Sequence, residues 1–126
     1  MKEHLGFIIS FLAPFLFFRI IYAVYPKCFQ KHFIVRRKTG LNIHHDNLGS
    51  TIILLGVFAL LIGASNFVAL IFFGLGLGLI TDPAISNLII KSDRSKELVR
   101  YEMSFNGTVI LFAVIVIMVV ILYLLF

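Results

Sequence analysis

Apolar side chains collect in four long runs, at about 5–25, 46–63, 67–90 and 107–126, and most of the charged positions lie between them. Runs of this length exceed a strand and read as helices. The centre of the chain is the most informative part, because residues 51–80 carry no charged side chain at all. A single helix over that stretch would measure about 45 Å, against a bilayer hydrocarbon core of about 30 Å. Gly63, Ala64, Ser65 and Asn66 lie at its middle, and small polar residues with glycine are what a tight reversal requires. The pattern therefore predicts a helical hairpin, and with it an all-α integral membrane fold of one domain, with four transmembrane helices.

The first run spans about 31 Å. It is long for the apolar core of a secretory signal and has no small-residue cleavage pattern before Tyr25, so a retained membrane helix is expected, kinked at Pro14. In helix 2, Gly49, Gly56 and Gly63 recur every seven residues and share nearly one face. Helix 3 offers Gly74 and Gly78, with Gly76 between them. Folding about Ser65 sets Gly56 level with Gly74, which predicts a close seam between helices 2 and 3. The same stripe also suits self-association. The Gly-Leu-Gly-Leu-Gly run lies inside an apolar segment with no strand before it, so it is not read as a phosphate loop. Helix 4, uniformly apolar after Thr108, is expected to face lipid or a partner and to bring no chemistry of its own.

Charge sets the orientation. Hydrophobic residues make up 60 % and charged residues 13 % of the chain, against about a quarter charged in ordinary soluble domains. The formal net charge is +5, yet nine of the eleven Lys and Arg fall within 26–38 and 91–100. Four helices put these two basic loops, 26–45 and 91–106, on one side of the membrane, whereas three would separate them. The positive-inside bias makes that side cytoplasmic, with both termini outside, and explains the charge without a nucleic acid. Phe29, Phe33 and Ile34, interleaved with cations in loop 1, suit a segment lying on anionic lipid headgroups. Loop 3 mixes both charge signs with apolar residues and suits a short interfacial helix. The single Cys28 excludes an intramolecular disulfide.

Arg19 and Asp82 are the candidate intramembrane charges, away from the very start of a span where Asp46 lies. The plainer expectation for Arg19 is that it snorkels to the headgroups beside Tyr22 and Tyr25. The sharper one is that it turns inward to pair with Asp82, since an unpaired cation in the bilayer centre costs about 2.5 kcal/mol or more. The hairpin also brings His44 and His45 to the same face as Asp82. Imidazoles with a carboxylate form a ligand set for a divalent metal such as Zn, with His32, Asp46 and Asn47 as further candidates. Neighbouring helical residues point about 100° apart, so His44 and His45 share one ion only if 42–46 is extended. The plainer expectation has Asp46 or Asn47 capping helix 2, the histidines at the headgroups, and Asp82 closing helix 3 before Pro83. No GxSxG, HExxH or Cys/His ligand spacing occurs, and no cofactor other than such a metal is expected.

The block NIHHDNLG, followed by an apolar hairpin and FGLGLGLITD, resembles a group of small, mostly uncharacterised prokaryotic polytopic membrane proteins. These have a His-His helix entry and a Gly-Leu-Gly-Leu run before an acidic helix exit. The resemblance covers about a third of the chain and implies a shared polar cluster at His44, His45 and Asp82. Pro83 stands here where a second acidic residue would be expected. Three functions follow in order: a membrane subunit or scaffold that packs with another membrane protein or with itself as a homo-oligomer, a metal-dependent enzyme at the cytoplasmic face, and a small channel or carrier.

Overall fold

The computed structural model describes residues 2–25, 27, 45–89 and 103–125. They form four helices, α1 Lys2–Val24, α2 His45–Leu61, α3 Asn66–Ile89 and α4 Phe105–Leu125, and no strand is present among them. Helices satisfy each backbone donor within the segment, which is why runs this apolar adopt them. The lengths of α1, α3 over Asn66–Ile85 and α4 are sufficient, and their composition apolar enough, to cross a membrane, while α2 is shorter. This is consistent with a membrane protein.

The reversal between α2 and α3 occurs at residues 62–65. Gly63 adopts φ +82°, its N–H donates to the Leu60 carbonyl at 3.0 Å, and the Ala64 N–H donates to the Ala59 carbonyl at 2.8 Å. This pair of bonds around a left-handed glycine terminates α2 and consumes its last carbonyls. The Ser65 carbonyl then accepts from the Val68 and Ala69 N–H groups at 3.0 and 3.3 Å, which starts α3 one residue later. Four residues thus close both helix ends.

α3 is the central helix and packs against each of the other three. Its glycines decide how closely. A Cβ placed on Gly76 would lie 2.7 Å from the Gly49 carbonyl oxygen, and one on Gly49 would lie 2.6 Å from the Gly76 carbonyl oxygen. Gly56 meets Phe72 and Phe73. The seam between α2 and α3 therefore runs through Gly49, Gly56 and Gly76. Gly74 and Gly78 instead face α1, against Phe7, Ser10, Phe11 and Pro14. The seam expected from the sequence is corrected in this respect: residues 74 and 78 share a face four residues apart, and residue 76 lies about 160° away from both. Gly63 leaves the seam altogether, since it occupies the turn and nothing approaches its Cβ direction.

Pro14 lies within α1, which continues past it to Val24, and its ring packs towards Gly78. α4 closes the bundle on α1 and α3. Phe112 stands 4.7 Å from both Phe11 and Phe15 by ring centroid, Gly107 abuts Ile85, and His4 meets Tyr123 at 4.4 Å at the opposite end. Phe11, Phe15 and Phe112 form the contiguous part of the buried core, which also includes Ala69 and Leu79 on α3. Much of the remaining apolar surface is exposed, including most of α4 and the outer face of α2.

Candidate functional site

Among the described residues, a cluster of buried polar side chains lies inside the bundle, towards the end where α1 finishes and α4 begins. Arg19 enters from α1 and is 9 % exposed, and Asp82 enters from α3 and is completely shielded at 0 %. Their side chains pair, with Arg19 Nε 3.4 Å from Asp82 Oδ1. Arg19 Nη2 also donates to Ser104 Oγ at 3.4 Å and to Thr108 Oγ1 at 3.3 Å. Both hydroxyls are fully buried. The guanidinium carbon lies 5.4 Å from the Phe105 ring centroid and 5.7 Å from that of Phe15, within cation–π range. Three helices thus contribute to one enclosed guanidinium.

Each helix positions its residue for a local reason. On α1, Phe11, Phe15 and Arg19 are spaced by four and share a face, so the same stripe that packs the aromatic core delivers the cation. On α3, Gly78 and Asp82 are likewise spaced by four, and the close contact of Gly78 with α1 draws Asp82 towards Arg19. Ser104 and Thr108 are also four apart, linked by the Thr108 N–H donating to the Ser104 carbonyl at 2.8 Å. The expectation that Arg19 snorkels outward is corrected, because a buried carboxylate and two hydroxyls on facing helices hold its guanidinium inside the bundle. The expectation that α4 brings no chemistry is corrected too. Its first turn supplies Thr108 and, just before it, Ser104, and the i, i+4 hydroxyl spacing was the signal in the sequence.

The proposed ligand set is not assembled among the described residues. His44 and His32 lie outside them. His45 packs its ring 4.4 Å from Phe18, and Asp82 is directed at Arg19. No group of three His, Cys, Asp or Glu side chains converges among the described residues. Asp46 and Asn47 fall in the first turn of α2 rather than ahead of it; Asp46 there opposes the positive end of the helix dipole, and the two carbonyls accept from Ser50 and Thr51 hydroxyls at 2.8 Å each. Cys28, Phe29, Phe33 and Ile34 also lie outside the described residues.

Chemically, the arrangement is a closed clasp. A planar guanidinium with five donors suits several acceptors at once, and here a carboxylate beside Nε neutralises its charge while two hydroxyls accept from Nη2. Beyond the cluster, the interior continues as Phe11, Phe15 and Phe112 rings in contact. The chain finds no match among protein-family models, curated proteins or solved structures.

Proposed function

We infer that this chain is a small integral membrane subunit or scaffold, spanning the bilayer four times, whose role is exerted through its helices by packing with another membrane protein or with copies of itself. The observation that carries the reading is the enclosure of the cluster: Asp82, Ser104 and Thr108 at 0 % exposure and Arg19 at 9 %. Charges placed in a membrane mark function or assembly. Here they are consumed in joining α1, α3 and α4, and most of the outward surface is aliphatic and aromatic, apart from polar positions at the helix ends such as Asn47, Ser50 and Thr51. The aromatic core next to the cluster argues against a conducting path, which needs polar lining. The positive-inside bias of the basic loops supports a cytoplasmic position for the cluster end, with both termini outside.

The test is native mass spectrometry and cross-linking of the full chain released from membranes in a mild detergent. A defined homo-oligomer or a stoichiometric membrane partner is expected. A lone monomer, with no partner recovered before or after cross-linking in intact membranes, contradicts the reading.

A further inference from the structure

The two flanks of the bundle have unequal apolar heights. At the turn end they are level, since Gly6 of α1 abuts the Phe67 ring just past the α2–α3 turn. At the other end Phe18 of α1 meets His45, where α2 begins. From that level α1 continues by about 9 Å, presenting exposed Ile20, Val24 and Tyr25. On α2 the outward face has already become polar: Asn47, Ser50 and Thr51 are exposed. The hydroxyls of Ser50 and Thr51 return to their own helix, so Asn47 sets the limit of the apolar band. That band, residues 48–62, is about 22 Å high, whereas residues 5–24 of α1 give about 30 Å, the thickness of a hydrocarbon core. α2 and α1 pack on roughly opposite faces of α3, through Gly76 and through Gly74 and Gly78. Tilting the whole molecule to suit one flank therefore worsens the other.

We propose that the α2 flank thins the bilayer locally, drawing phospholipid headgroups of the leaflet on the Arg19–Asp82 side down to the level of Asn47. The occupant of this flank is lipid: Leu48, Leu54, Leu55, Phe58, Leu61 and Ile62 are all large, apolar and exposed, and a short helix in a thicker membrane is accommodated by just such a deformation. The consequence is a shallow notch that brings water and headgroups to the height of the buried ion pair on one side only. The inference rests on the membrane reading above.

Leu48 and Leu16 make the test, because both are exposed, at 45 % and 51 %, and the Phe18–His45 contact puts Leu48 no nearer the loop end than Leu16. Nitroxide labels are attached to Leu48→Cys and Leu16→Cys in a Cys28→Ser background of the full chain, reconstituted in dioleoyl-phosphatidylcholine vesicles. Collision with a water-soluble nickel complex is compared with collision with oxygen. The expected result is a several-fold higher nickel-to-oxygen ratio at position 48 than at position 16. Equal ratios, both typical of hydrocarbon, overturn the thinning and leave the membrane reading intact. Shielding of position 48 from both reagents also overturns it, by showing that protein covers the flank. Failure of the chain to float with vesicles, with both labels in water, overturns the membrane reading itself.

Discussion

Arg19 binds acceptors on two other helices, and this makes its substitutions informative. Removing Asp82 leaves a guanidinium enclosed without its counter-charge, and Asp82→Ala is expected to cost about 3–5 kcal/mol, the usual penalty for breaking a buried pair from one side. Replacing both partners with apolar residues, Arg19→Met with Asp82→Leu, removes the orphaned charge and is expected to recover most of that loss. Reversible unfolding in mixed detergent micelles measures both. A loss below about 0.5 kcal/mol for Asp82→Ala, the range of ordinary surface changes, would mean that the pair is not enclosed. Arg19→Lys is expected to be poorly tolerated, at about 1–3 kcal/mol, because an ammonium cannot reach the carboxylate and both hydroxyls from one position; a matching loss in Ser104→Ala/Thr108→Ala, not additive with Arg19→Lys, would identify the hydroxyls as the missing partners. Both charges were visible in the sequence. Their pairing was not decided there, because snorkelling and inward turning differ only by the rotation of α1, which packing on α3 determines.

The helices are held at glycines, and two kinds of glycine must be separated. At Gly49 and Gly76 the constraint is space, since an added Cβ meets the opposing carbonyl oxygen at 2.6 and 2.7 Å. Gly49→Ala and Gly76→Ala are each expected to push α2 off α3, weakening the hairpin by about 1–3 kcal/mol as overpacked sites do. At Gly63 the constraint is conformation: space is open, but φ is +82°. Gly63→Val is expected to cost at least about 1–2 kcal/mol and Gly63→Asn distinctly less, because asparagine tolerates the left-handed region. Equal losses for the two would refute the turn geometry. The four helices and the reversal were legible from the uncharged stretch and its small central residues. The assignment of glycines to neighbours was less so: residues 74 and 78 differ from 76 by their angle around α3, and matching positions by height alone paired Gly56 with Gly74. The ring of His45 lies against Phe18, a neighbour that its polarity alone did not suggest.

For the whole molecule, the mid-chain reversal and the clasp are two parts of one arrangement. The hairpin returns α3 to the end where α1 leaves the bundle, and only then do Arg19 and Asp82 meet. The spacing of charges along the chain led to the expectation of this reversal, because with four helices a turn near Ser65 would put both basic loops on one side. The enclosure by α4 left only a faint trace in the sequence, the i, i+4 hydroxyls of Ser104 and Thr108, because the polar entry to its apolar run looked like the edge of a loop. The most direct measurement is sidedness. In a Cys28→Ser background, single cysteines at Lys27, Ala64 and Met103 are labelled with a membrane-impermeant maleimide in sealed spheroplasts and again after permeabilisation. Ala64→Cys is expected to react in intact spheroplasts, and Lys27→Cys and Met103→Cys only once the membrane is opened. Lys27→Cys and Met103→Cys labelling from opposite sides would contradict the mid-chain reversal.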